Sequence, residues 1–169
     1  MRMNAASCMK RAKYCLIIAL FAACASPPKL IVYLVDPGVR QYFMPPTDWA
    51  SSGATAKARL DITYRTGEET PAIVNISFIG KKAMPGRIGS VSINGAGISC
   101  PLDNITVLFP DPKNNEVRIT SEADRDLLIA VLGSEPIAIT AEIGGATQTF
   151  TPGKQFISIK NDLLIAASY

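Results

Sequence analysis

The chain has 169 residues, a formal net charge of +3, four cysteines and no histidine. That length holds one domain and not comfortably two. The missing histidines exclude Ser-His-Asp and Cys-His catalysis and remove the commonest zinc and copper ligand.

The first predicted element is a leader. Met9-Lys10-Arg11-Ala12-Lys13 is a compact positive segment, and Tyr14 to Phe21 is an uncharged apolar run. Ala22-Ala23-Cys24-Ala25-Ser26 follows as a small-residue exit before Pro27 and Pro28. This order is that of a secretory signal peptide. The apolar run spans about ten residues, where a membrane-crossing helix needs about twenty. Residues 1–8 add nothing a leader needs, so the real start is expected at Met9.

At Phe21-Ala22-Ala23-Cys24 the sequence resembles the lipobox of bacterial lipoproteins. Phe21 replaces the leucine most often found there. The resemblance covers the leader and Cys24 alone. It implies cleavage between Ala23 and Cys24, a diacylglycerol on the Cys24 thiol, and a further acyl chain on the new amine. Several acyl chains give a stable anchor, so the membrane is the first expected partner. Ala25 is not the aspartate that retains such proteins in the inner membrane, which favours the outer membrane, on either its periplasmic or its surface face. The competing reading is ordinary cleavage after Ala23-Cys24-Ala25, giving a freely secreted product. The expected division is therefore 1–23 signal peptide, 24–29 lipidated cysteine and short tether, and 30–169 a single β-rich domain. The four basic residues of the leader account for the positive charge, leaving 13 bases against 14 acids. A near-neutral domain without a basic run offers nucleic acid no footprint, and that partner is excluded.

Beyond the tether, Leu30 to Val35 is apolar and Asp36-Pro37-Gly38 reads as a turn. Residues 39–53 hold Tyr42, Phe43, Met44 and Trp49 around Pro45-Pro46, and are expected to form a loop. Either that loop folds back to plug one end of a sheet sandwich, or it presents Tyr42, Phe43 and Trp49 as an interaction surface. Ala54 to Arg65 alternates apolar and polar residues and is the clearest strand, with Asp61 on its wet face. Further strands are expected at 72–79, 87–93, 104–109, 115–120, 136–143, 146–151, 154–160 and 163–168. Ser121 is expected to cap one helix, about 121–132, closed by Gly133. The predicted fold is mainly β: an antiparallel sandwich or partly open barrel with one short helix.

Chemistry is sparse. Cys100 is the one thiol of the domain, so no internal disulfide and no cysteine-based metal site is expected. It reads as a small buried hydrophobe, with a reactive thiol as the alternative. Glu68-Glu69 and Asp124/Asp126 are read as solvated or as supporting the helix start, and Asp111 to Glu116 as a polar hairpin turn. The basic segment Lys81, Lys82, Arg87 is read as a hairpin tip that could meet lipid head groups or an acidic partner. No catalytic residue, cofactor or metal is assigned. The leading expectation is a binding or structural role toward another envelope protein or a host molecule. The alternatives are a carboxylate-based envelope hydrolase and a carrier of a small ligand or lipid.

Overall fold

Residues 28–53, 56–81 and 87–167 are described by a computed structural model. The leader, Cys24 and Lys82 lie outside the described residues. Ten strands form one sheet: β1 (Ile31–Asp36), β2 (Val39–Ser51), β3 (Ala56–Thr66), β4 (Ala72–Gly80), β5 (Ile88–Gly95), β6 (Ile98–Pro101), β7 (Asp103–Asp111), β8 (Glu116–Ala123), β9 (Ala138–Ile143) and β10 (Ala146–Pro152). Two helices, α1 (Arg125–Leu132) and α2 (Lys154–Ala167), complete it.

Every pairing is antiparallel, in the order β6-β5-β9-β10-β2-β3-β4-β8-β7, with β1 also paired to β2. The first and last strands of that order, β6 and β7, are consecutive in the chain and joined by Leu102 alone. A flat sheet would hold them at opposite ends, so the sheet curls until its edges meet. The result is an antiparallel sheet nearly closed into a barrel.

Alternation sorts the side chains. Ala58, Leu60, Ile62 and Tyr64 of β3 point inward with Val74, Ile76 and Phe78 of β4 and Val117 and Ile119 of β8. Tight turns link the strands where the sequence supplies them. Pro37-Gly38 joins β1 to β2 with Gly38 at φ +85°, the left-handed position a type II turn requires. Gly144-Gly145, both left-handed, joins β9 to β10.

The predicted loop at 39–53 is instead the longest strand of the sheet. β2 pairs β1 along residues 39–43 and β10 along 49–51, and it changes partner across Pro45-Pro46. Proline has no N–H to give a ladder, so the pair sits where one partner has ended and the next has not begun. Register against β3 slips between Met44 and Thr47. The slip resets the inward phase, and Tyr42, Met44, Thr47 and Trp49 all face the core.

Two further expectations are corrected. The strands expected at 154–160 and 163–168 are one helix, α2, which buries Phe156, Ile159, Lys160 and Leu163 on a single stripe. Its tryptophan contact, Trp49 to Phe156 with ring centroids 4.6 Å apart, seats it on the sheet. The helix expected from Ser121 starts later, with Asp124 as cap: Leu127 N donates to Asp124 Oδ1 at 2.8 Å. Ser121 belongs to β8, and its hydroxyl donates to Val74 O across the sheet. The strand-like stretch around Cys100 is β6, Ile98–Pro101.

Candidate interaction surface

Among the residues singled out from sequence, Tyr42 and Trp49 are buried, at 4% and 1% exposure. They do not form an exposed aromatic surface. Tyr42 stacks on Tyr64 with centroids 5.0 Å apart, and the Trp49 indole N–H donates to Thr47 Oγ1 at 3.3 Å. Phe43, on the opposite face of β2, is half-buried. Lys81 and Arg87 are exposed on either side of a segment outside the described residues.

The surface that stands out lies one strand earlier. Ile31, Val32, Tyr33, Leu34 and Val35 are five consecutive apolar residues, 39–75% exposed, with Leu34 the most open. β1 is held on one side by β2, and among the described residues no strand pairs with its other side. On one face Ile31 lies beside Phe43, followed across the sheet by Thr63 and the exposed Ile73. Tyr33 lies on that face beside Gln41 and Arg65. On the other face Val32 neighbours Tyr42, and Leu34 neighbours Arg40. Monomeric proteins seldom leave such a continuous apolar patch in water. The tip of this hairpin is fixed in place. Gly67, at the β3–β4 turn, approaches Gly38 so closely that a Cβ there would lie 2.7 Å from Gly38 O.

A second cluster sits where α1 meets the β3–β4 turn. Depressions of about 290 and 380 Å³ flank Arg125 and Asp126, one reaching Tyr64 and Ile129, the other Glu69 and Pro71. The charged groups here already hold structural partners. Arg125 donates to Arg65 O and Glu68 O, both at 3.4 Å, and its Nε to Asp126 Oδ1 at 3.2 Å. Asp124 caps α1. Burial raises the Tyr64 hydroxyl well above the ordinary tyrosine range, the neighbouring Tyr42 adds to the rise, and Arg125 opposes it. That hydroxyl donates to Leu163 O of α2. Among the described residues no group of three or more cysteines, aspartates or glutamates could hold a metal ion.

The outer face carries one buried charge pair that sequence reading missed. Asp61, expected on the wet face, is only 2% exposed. Arg118 of β8 reaches over from the next strand but one, placing Nη2 2.7 Å from Asp61 Oδ2 and donating through Nη1 to Ser77 Oγ. Asn75 Nδ2 donates to Asp61 Oδ1 at 2.7 Å. No local pattern reveals this, because the arginine comes from β8, 57 residues further along the chain.

Cys100 is buried and free. Burial, then the nearby Asp124 and Asp103, pushes its thiol up to about 11. A raised thiol means that the unfolded chain ionises first. Stability is then whole below about pH 9 and declines as pH rises toward 11, by about 2–3 kcal/mol. Urea titrations from pH 8 to pH 11 will show that decline, and Cys100→Ala will remove its share, leaving the part above about pH 10 that the raised Tyr64 hydroxyl adds. A Cys100→Ala profile identical to that of the parent would dismiss the assignment. At pH 8 the buried folded thiol will also react with a disulfide reagent at least about tenfold more slowly than the urea-unfolded one.

No helix among the described residues is long and apolar enough to cross a membrane. No family model matches the chain, and neither does a curated protein or a solved structure.

Proposed function

We propose that the chain is a lipid-anchored protein of the bacterial envelope whose barrel-like domain binds a protein partner through β1. The anchor is Cys24, which carries diacylglycerol on its thiol and, once cleavage behind Ala23 frees its amine, a further acyl chain there, and the outer membrane is its destination. One observation carries the binding role: five successive apolar side chains lie open to water along a sheet edge. The order of the leader supports the anchor. Only five residues separate Cys24 from Leu30, so the tether reaches at most about 20 Å and β1 works close to the bilayer. The charged groups beside α1 are occupied in joining helix to turn, which weighs against a hydrolytic role for them.

Two measurements test this reading. Cells expressing the chain and fed an alkyne-bearing palmitate will label it, and Cys24→Ser will abolish the label and release the protein from the membrane fraction. A mature, unmodified N-terminus at Ser26 would end the anchor reading. A photoreactive amino acid placed at Leu34 will yield covalent protein adducts in intact cells, while the same group at exposed Lys113 will not. Equal yields from the two sites would end the binding role of β1.

A further inference from the structure

β1 has two properties that rarely coincide. Apolar side chains occupy both of its faces from Ile31 to Val35, the pattern of a strand covered on both sides. Its outer edge nevertheless lies open, with a row of backbone N–H and C=O groups unclaimed by any strand among the described residues. Exposed edges are ordinarily guarded by lysine, proline or an inward charge, and residues 31–35 contain none of these. The slip in its register against β2 lies beyond Leu34, at the turn end, and leaves the apolar stretch regular.

A bilayer would cover the side chains but not satisfy the edge. Hydrocarbon offers no hydrogen bonds, and each unpaired backbone group taken into it is strongly unfavourable. Another strand satisfies both demands together, by ladder hydrogen bonds and by cross-strand apolar contacts.

We propose that this strand is supplied by β1 of a second copy, paired antiparallel about a two-fold axis at Tyr33. The proposal rests on the binding role of β1 and is independent of the lipid anchor. In that register Tyr33 faces its own counterpart, Val32 faces Leu34, and Ile31 faces Val35, so no like charges meet along the apolar stretch. Beyond that stretch the exposed Asp36 of each copy faces Leu30 of the other, with the exposed Lys29 one position further along, so no like charges meet at the ends either. The contact is isologous, as closed dimers require. The five side chains of two copies expose on the order of 900 Å² in all, against about 1,000 Å² for a specific interface. The half-buried Phe43 and exposed Ile73 lie on the same face and extend that area. The dimer is thus a modest one, with dissociation in the micromolar range.

Sedimentation of the full chain in non-ionic detergent tests the pairing. At about 50 μM the protein mass will be twice that of one chain, for the parent and for Cys24→Ser alike. Leu34→Lys will weaken association at least about a hundredfold, because each copy then places an ammonium group against Val32 of the other in an apolar contact, once at each symmetry-related position. Leu34 is the most exposed of the five, so this variant will keep the parental melting temperature and circular dichroism. A short bis-maleimide will join Tyr33→Cys to itself, and will not join Lys113→Cys. A monomer at 50 μM, or a dimer indifferent to Leu34→Lys, overturns the proposal. A monomer whose recovery on lipid vesicles is lost in Leu34→Lys overturns it in favour of the bilayer. If the chain is monomeric yet the Leu34 photoadducts with other envelope proteins persist, the pairing fails and the binding role of β1 stands.

Discussion

Arg118→Ala will destabilise the domain by about 3–5 kcal/mol, a loss that urea denaturation reads directly. Asp61 is taken from water on the outer face of the sheet, and the charge is offset there by one guanidinium and one amide. Removing the guanidinium leaves the carboxylate buried with Asn75 as its remaining hydrogen-bond donor. The Arg118 stem also covers Ser77, which is itself buried and would be opened by the truncation. The exposed pair Arg59–Asp48 provides the contrast. Its nitrogen and oxygen lie 3.2 Å apart, but the side chains are 45% and 64% exposed. Water already solvates both, so Asp48→Ala will change stability by less than about 1 kcal/mol. Asp61→Asn combined with Arg118→Met will recover most of the loss, since no buried charge then remains. A single Arg118→Ala variant within about 1 kcal/mol of the parent would refute this account.

The second large effect is at Trp49. Trp49→Ala will remove about 3–5 kcal/mol, because the indole is fully buried and the cavity left behind cannot close against two rigid elements. On one side is the sheet at the point where β2 takes β10 as its partner. On the other is α2, held by the tilted Phe156 ring and by the buried Lys160, whose ammonium lies 2.6 Å from Glu135 Oε1. Trp49→Phe will cost about 1–2 kcal/mol, since a ring still meets Phe156 while the hydrogen bond to Thr47 is lost. Thermal melts decide it: for a domain of this size each kcal/mol moves the midpoint by about 3–4 °C. A Trp49→Ala midpoint within 3 °C of the parent would count decisively against the helix being seated by this contact.

The mainly β class was legible because β3, β4, β8, β9 and β10 each carry alternation or a turn signal that needs no distant partner. What misled was local ambiguity. Pro45-Pro46 reads as an interruption, yet a strand tolerates it where its neighbour changes, and that depends on β1 and β10 together. In α2, Ile157 and Ile159 mimic strand alternation. The helical stripe of Phe156, Ile159 and Leu163 is broken in hydropathy by Lys160, whose burial makes sense once Glu135 is beside it. Asp61 was placed in water for the same reason: its cation comes from a strand 57 residues further on. The apolar run at 31–35 was visible as composition, but sequence could not say that the fold would leave it at an edge. The proposed anchor at Cys24 rests on the order of the leader, which lies outside the described residues.

The single-residue joint at Leu102 has a consequence for fidelity in folding. Its amide is tied to Val91 O at 2.9 Å, so the joint is fixed against β5 just as β7 begins to follow β8. In an open sheet, each edge strand is free to slip by two residues without consulting the other. Here a slip of β6 along β5 would drag β7 along β8, around the whole circumference, and misplace Cys100 and Leu102 together. Two alignments that an open sheet would choose separately become one choice, and errors at the two edges cannot arise independently.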